Sequence, residues 1–129
     1  GILIANDAVM HDELRKTTIK LAKPPAVKLV MKNIDDAIAA IKSGVTDKYK
    51  LFIVVESVED AWRLAGAVPE IKSINLGGIK AKEGSQNISK AINVLPEEVT
   101  MLNELVKAGT EVEIRQVPND RKLLFTDCL

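Results

Sequence analysis

The chain has 129 residues, and its eighteen basic and eighteen acidic side chains cancel, leaving no net field to recruit nucleic acid or an anionic membrane. Hydrophobic residues at 47% and charged residues at 28% fit one globular domain and exclude a disordered chain. A single cysteine, Cys128, and a single histidine, His11, exclude a disulfide framework and a self-contained zinc site; aromatics at 3% disfavour stacking platforms, and no apolar run nears the ~20 residues of a membrane helix.

Strand-like and helix-like segments alternate along the chain. Ile2-Leu3-Ile4-Ala5 is a short apolar strand that ends at Asn6-Asp7, where Asp7 is expected to cap a helix. That helix is predicted from about 8 to 22, with Val9, Leu14, Thr18, Leu21 and Ala22 on one face and Pro24-Pro25 beyond it as a stop. Val27 to Met31 reads as a second strand. Asn33 caps the next helix, whose stripe is Ile34, Ala37, Ile38 and Ile41, and Gly44 closes it. Leu51 to Val55 has no polar interruption, the pattern of a parallel strand buried on both faces. Ser57, with Asp60 three residues on, caps a helix carrying Val58, Ala61, Trp62 and Ala65 toward the core.

Ser73 to Leu76 is the fourth strand, broken by Gly77-Gly78, and 79–86 reads as a polar loop. Ala91 to Val94 is a short strand. Pro96 sits at a helix first turn with Glu97 and Glu98, the buried face being Val99, Leu102, Leu105 and Val106, and Gly109 the stop. Glu111 to Val117 reads as a strand near a sheet edge, and Pro118 as the start of a short terminal helix. Strand–helix–strand units with short loops imply a doubly wound, mainly parallel α/β sheet with helices on both faces, in a single domain over 1–129. Gly1 stands directly against the first strand with no initiator methionine, so the domain is expected to be N-terminally incomplete.

Open α/β sheets bind ligands beyond the carboxyl ends of their strands, here Asn6-Asp7, Lys32-Asn33, Glu56-Ser57 and Gly77-Gly78. Gly77-Gly78, followed by Lys80, Lys82, Gly84 and Ser85, can let backbone amides approach an anion; a flexible turn with solvated lysines fits the same residues. It matches neither a P-loop nor a dinucleotide fingerprint. His11, beside Asp12 and Glu13, has the chemistry of a phosphoacceptor or base but reads more simply as an exposed helical histidine. Asp7 can both cap a helix and steady an anion-binding amide, and Glu56 and Ser57 adjoin the same edge. Cys128 has no basic neighbour to activate it.

Taken in order, the residues carry a resemblance. Ile2-Leu3-Ile4-Ala5-Asn6-Asp7-Ala8-Val9, Leu14-Arg15-Lys16 and Ala22-Lys23-Pro24-Pro25 resemble the second strand and helix of the mannose/fructose/sorbose-family IIB component of the bacterial sugar phosphotransferase system. Ser73-Ile74-Asn75-Leu76-Gly77-Gly78-Ile79, running into Lys82-Glu83-Gly84, is similar to that family's N-[VL]-G-G loop. Ala91-Ile92-Asn93-Val94, Leu105-Val106-Lys107-Ala108-Gly109 and Glu111-Val112-Glu113-Ile114-Arg115-Gln116-Val117-Pro118 resemble its C-terminal third.

The resemblance implies a cytoplasmic protein-phosphohistidine–sugar phosphotransferase subunit. Its partners would be a IIA phosphodonor, IIC/IID membrane components and a sugar, with no nucleic acid, no membrane insertion of its own, and a homodimer allowed. It implies no cofactor and no metal. The family opens on a strand and a D-x-R-L-I-H-G-Q-V loop whose histidine carries the phosphoryl group; no such segment precedes Ile2, and His11 does not match that position. The expectation is therefore a chain lacking an interior strand, inactive alone, as a fragment or half of a strand-exchanged assembly. Asp7, Gly77 and Gly78 are expected to support the phosphate pocket, with Asn6 and Ser57 beside them. A non-catalytic binding or assembly module related to IIB is the alternative; a flavodoxin-like domain is disfavoured by the missing glycine fingerprint after the first strand.

Overall fold

A computed structural model describes residues 2–44, 51–116 and 119–128. The chain divides into two compact units, Gly1–Glu56 and Ser57–Leu129, each with its own strands and buried residues. The α/β class expected from the alternation holds, but the strands form three separate ladders among the described residues, two of them with parallel pairing.

In the first unit the strands β1 (Ile2–Ala5), β2 (Leu29–Lys32) and β3 (Phe52–Val54) run parallel in the order β2-β1-β3. Helix α2 (Ile34–Lys42) buries Ile34 and Ala37 completely, and Leu3 and Ala5 on one face of β1 are equally hidden. Asn33 caps α2 as expected, its Oδ1 accepting the Asp36 N–H at 2.7 Å, and Gly44 stops it with a φ of 81°. The second strand begins two residues later than its apolar run suggested.

Two expectations fail here. The helix expected over 8–22 breaks into a 3-10 turn, Val9–His11, and α1 (Glu13–Ala22). Asn6 Oδ1 accepts the Val9 N–H, and Asp12 Oδ1 accepts the Arg15 N–H to restart the helix. The interruption turns the later residues away from Val9: Val9 is buried, whereas Leu14 and Leu21 are 78% and 82% exposed and α1 buries nothing. Asp7 does not cap this helix. Nor is β3 buried on both faces. Its register places Phe52 beside Ile2 and Val54 beside Ile4, on the face where those β1 residues are themselves only half-covered. Phe52 is 68% exposed, and β3 pairs only with β1 among the described residues.

The second unit carries the larger core. Helices α3 (Val58–Ala67) and α4 (Pro96–Lys107) pack on each other, and strands β4 (Ser73–Leu76) and β7 (Glu111–Ile114) pair in parallel. Ser57 Oγ accepts the Asp60 N–H at 3.1 Å to start α3. Glu98 in the first turn of α4 accepts the Leu95 N–H at 2.8 Å, which accounts for a nearly buried carboxylate. Val58, Ala65, Leu76, Leu102, Leu105, Val112, Ile114 and Phe125 form one cluster, with Trp62 packed against it and donating Nε1–H to Glu104 Oε2 at 2.8 Å.

A strand without an apolar pattern, β5 (Gln86–Ser89), starts at the last residue of the 79–86 stretch read as a loop and pairs antiparallel with β6 (Ile92–Val94). Its polar Gln86, Asn87 and Ser89 gave no apolar alternation to read. Strand β7 lies between β4 and the short antiparallel β8 (Leu123–Leu124), one strand from that edge. Val117 and Pro118, the expected strand end and helix start, lie outside the described residues; a 3-10 turn, Phe125–Cys128, follows β8, and Cys128 packs half-buried against the core.

Two features of this unit yield tests. The β5–β6 connection places Ala91 at a φ of 61°, a left-handed conformation costing an L-residue roughly 1–2 kcal/mol, against about 0.5–1 kcal/mol of extra chain freedom in glycine. Ala91→Gly is expected to raise the unfolding free energy by about 0.5–1 kcal/mol in urea titration. Lys122 meets the Glu111 and Glu113 carboxylates of β7, and the hydrogen bond to Glu111 raises its pKa above the ordinary 10.5. A raised lysine stabilises fully below its unfolded value and loses that contribution as pH climbs through its folded one. The stability difference between the protein and Lys122→Gln should therefore be flat at neutral pH and shrink above about pH 10.5.

Candidate functional site

The carboxyl ends of the parallel strands place the expected residues in two groups, one in each unit. In the first, the chain leaving β1 is held by side chains. Asn6 is 5% exposed, its Oδ1 accepting the Val9 N–H at 3.1 Å and its Nδ2 donating to Glu56 Oε2 at 2.5 Å. These two partners fix which way the amide faces. Glu56 extends the chain of contacts to Arg15, 3.7 Å away. The exits of β1 and β3 are thus tied through one buried amide.

Asp7 serves a different helix from the one expected. Its Oδ1 accepts the Ile34 N–H at 2.8 Å, linking the end of β1 to the first turn of α2. With Asn33 holding the Asp36 N–H, two amides at that helix start already have side-chain acceptors. Asp7 and Asn6 therefore share one strand exit and face opposite neighbours, α2 and Glu56. His11 ends the 3-10 turn, exposed.

In the second unit the exits of β4 and β7 lie together. Asn75 Nδ2 donates to the Arg115 carbonyl at 3.1 Å, and its Oδ1 accepts the Arg115 N–H at 2.9 Å. This reciprocal pair continues the ladder by one step through a side chain. Gly77 follows Asn75 by two positions, and a Cβ there would sit 3.9 Å from the Arg115 carbonyl; a Cβ on Gly78 would meet nothing within 4 Å. The backbone at Gly77-Gly78 is open to close approach, as a phosphate loop requires.

The downstream part of that loop is a self-contained turn. Ser85 Oγ accepts the Lys82 N–H at 2.9 Å and donates to the Lys82 carbonyl at 2.7 Å, with Gly84 at a φ of 81° between them. Lys82 reaches Glu98 at 4.0 Å. Ile79 bridges to β6 by way of Ala91 and Asn93. Ser57 is occupied in capping α3. Asn75 and Arg115 were missed as site residues: they meet across forty positions, and only the register of β4 on β7 brings them together. An amide two residues before a glycine pair at a strand end is the signal that was present.

Among the described residues no cluster of three metal-ligating side chains occurs. What the arrangement offers chemically is, in the first unit, a strand exit locked by Asn6 and Asp7 and, in the second, a strand exit locked by Asn75 and followed by an uncovered glycine backbone.

A family model described as the sorbose subfamily IIB component of the sugar phosphotransferase system matches residues 1–129. The sorbose-specific EIIB component of Lacticaseibacillus casei is 30% identical over 92% of this chain and 73% of that protein. The corresponding component of Klebsiella pneumoniae is 26% identical over 98% of this chain and 77% of its own length. The crystal structure of the IIBSor domain of the Klebsiella pneumoniae sorbose permease superposes with a TM-score of 0.91, covering 98% of this chain and 78% of that one.

The Asn6 clamp predicts a measurable cost. Asn6→Ala strands the Val9 N–H and is expected to lower stability by about 1–3 kcal/mol in urea titration. Asn6→Asp should be worse at neutral pH, where two carboxylates face each other, and should be partly rescued by adding Glu56→Gln.

Proposed function

The chain belongs to the sorbose subfamily of IIB components of the sugar phosphotransferase system, and on that premise we propose that it is a cytoplasmic phosphoryl-transfer subunit. It takes a phosphoryl group from a phosphohistidine on a IIA partner and passes it to a sugar entering through IIC/IID membrane components. The family match over the whole chain carries this reading. Two further observations support it: no helix among the described residues is long and apolar enough to cross a membrane, and the open Gly77-Gly78 backbone lies at a strand exit.

The chemistry is in-line displacement at phosphorus between histidine nitrogens, then to a sugar hydroxyl. Little covalent work falls to the protein; it positions the groups and stabilises charge on the equatorial phosphoryl oxygens. In this reading Gly77 and Gly78 frame the pocket with backbone amides, and Asp7 steadies the β1 exit against α2. Asn6 fixes that exit from the other side, and Ser57 holds the start of α3. No cofactor or metal enters the proposed step. His11 is not assigned the phosphoryl group, because in sequence it does not match the histidine of the family's D-x-R-L-I-H-G-Q-V loop; it ends an exposed 3-10 turn.

Incubation of the protein with a phosphorylated IIA partner, followed by intact-mass measurement, tests this. Because His11 is the one histidine in these 129 residues, the expected result is no label on these residues alone and one acid-labile phosphoryl group, persisting in His11→Ala, when they are preceded by a segment carrying the family's D-x-R-L-I-H-G-Q-V loop. Loss of the label in His11→Ala would move the acceptor to His11. No label on that longer chain, under conditions where the donor is fully phosphorylated, would favour a non-catalytic assembly module.

A further inference from the structure

The turn after β4 is built from two glycines that its own neighbours do not require. Unlike Gly44, Gly84 and Gly109, neither Gly77 nor Gly78 has a positive φ. A Cβ at Gly77 would make only ordinary contacts, 3.9 Å from the Arg115 carbonyl and 3.9 Å from Asn75 Nδ2, and one at Gly78 would meet open space. Glycine loses more chain entropy on folding than any other residue, so a pair standing where alanine would fit keeps room for a group from outside the described residues.

The turn is pinned on both sides, each time by an asparagine. Upstream, Asn75 Oδ1 accepts the Arg115 N–H at 2.9 Å and Nδ2 donates to the Arg115 carbonyl at 3.1 Å, tying the end of β4 to the end of β7. Downstream, the Ile79 carbonyl accepts twice from Asn93, from its N–H at 3.1 Å and from Nδ2 at 3.0 Å, while the Ile79 N–H donates to the Ala91 carbonyl at 2.8 Å. Asn93 Oδ1 in turn accepts from Asn87 Nδ2 at 3.2 Å, which fixes the way its amide faces. Gly77 and Gly78 therefore cross from the β4–β7 ladder to the β5–β6 hairpin with a held residue on either side, Leu76 and Ile79.

We infer that Asn75 and Asn93 are positioning residues for phosphoryl transfer: together they hold the Gly77-Gly78 backbone in place, so that its amides meet the phosphoryl oxygens without rearranging. The inference rests on the reading of Gly77-Gly78 as a wall of the phosphate pocket. Neither asparagine touches the phosphoryl group; each acts through the backbone it anchors. Donors fixed in advance of the charge they stabilise cost no reorganisation at the moment of transfer, and a displacement of about 1 Å can cost about a hundredfold in rate.

The test measures transfer from a phosphorylated IIA partner to the longer chain that carries the family's histidine loop, comparing the parent with Asn75→Ala and Asn93→Ala. Both variants are expected to reach the parent's end point of one phosphoryl group per chain, with the same KM for the donor and a rate at saturating donor lower by about tenfold or more. An unfolded fraction would lower the end point instead. Trp62→Phe, which removes the bond to Glu104 within the α3–α4 packing, controls for lost stability and should transfer at the parent rate. Gly78→Ala should be at least as stable as the parent and transfer slowly, a pairing that a purely structural role does not produce. In NMR relaxation of the 129-residue chain, the Gly77 and Gly78 amides should be as ordered as those of β4 and β7, and should lose that order in either asparagine variant. Glycine amides already mobile in the parent, or a parent rate in either asparagine variant, would overturn the inference and leave the transfer reading standing. A parent that takes no label would overturn the transfer reading, and this inference with it.

Discussion

The parallel pairing of Ser73–Leu76 with Glu111–Ile114 joins residues about forty positions apart, and most of the second unit depends on it. The pairing stacks Leu76 beside Ile114 and Ile74 beside Val112, giving α3 and α4 an apolar surface to cover. It brings the backbone of Arg115 to the side chain of Asn75, which caps the pair of strands with two hydrogen bonds. It also leaves Gly77 against the Arg115 carbonyl. A one-residue slip would send Val112 and Ile114 to the opposite face and undo all three relations together.

The first unit achieves a similar exit with different means. There the polar residues after β1 reach backward and forward: Asn6 to Glu56 and Val9, Asp7 to α2. Both strand exits thus rest on short amide or carboxylate side chains that bond backbone groups, which is the usual competence of Asn and Asp near turns. The geometry explains why these residue types stand there.

Much of this was legible in the sequence wherever the cause is local. The caps at Asn33 and Ser57, the first-turn Pro96 and the stops at Gly44 and Gly109 act within four residues, and each appears where expected. The ordered motifs carried the family. Burial was less legible, because it depends on what lies opposite. Leu14 and Leu21 have helical spacing but the break at Asp12 turns them outward, and Leu51–Val55 reads as doubly buried although Phe52 and Val54 are exposed and β3 pairs only with β1 among the described residues. Strand β5 escaped because a polar segment can complete a ladder against an apolar partner without showing a period of its own. At the site, the strand-end glycines and Asp7 could be named from position alone, whereas Asp7's attachment to Ile34 and the Asn75–Arg115 pair required the tertiary register.

The exposure of β3 bears on how the protein behaves when concentrated. Leu51-Phe52-Ile53-Val54-Val55 is a run of strong β-formers without a charge, proline or glycine to interrupt it. One edge is engaged by β1, and Phe52 and Val54 show much of their surface. Such an edge is a template for adding a further strand, and an uncharged segment of this length has the composition of aggregation-prone sequence. Charged gatekeepers stand only at its borders, Lys50 and Glu56. Five consecutive residues therefore concentrate an aggregation propensity that the protein's balanced overall charge does not reveal.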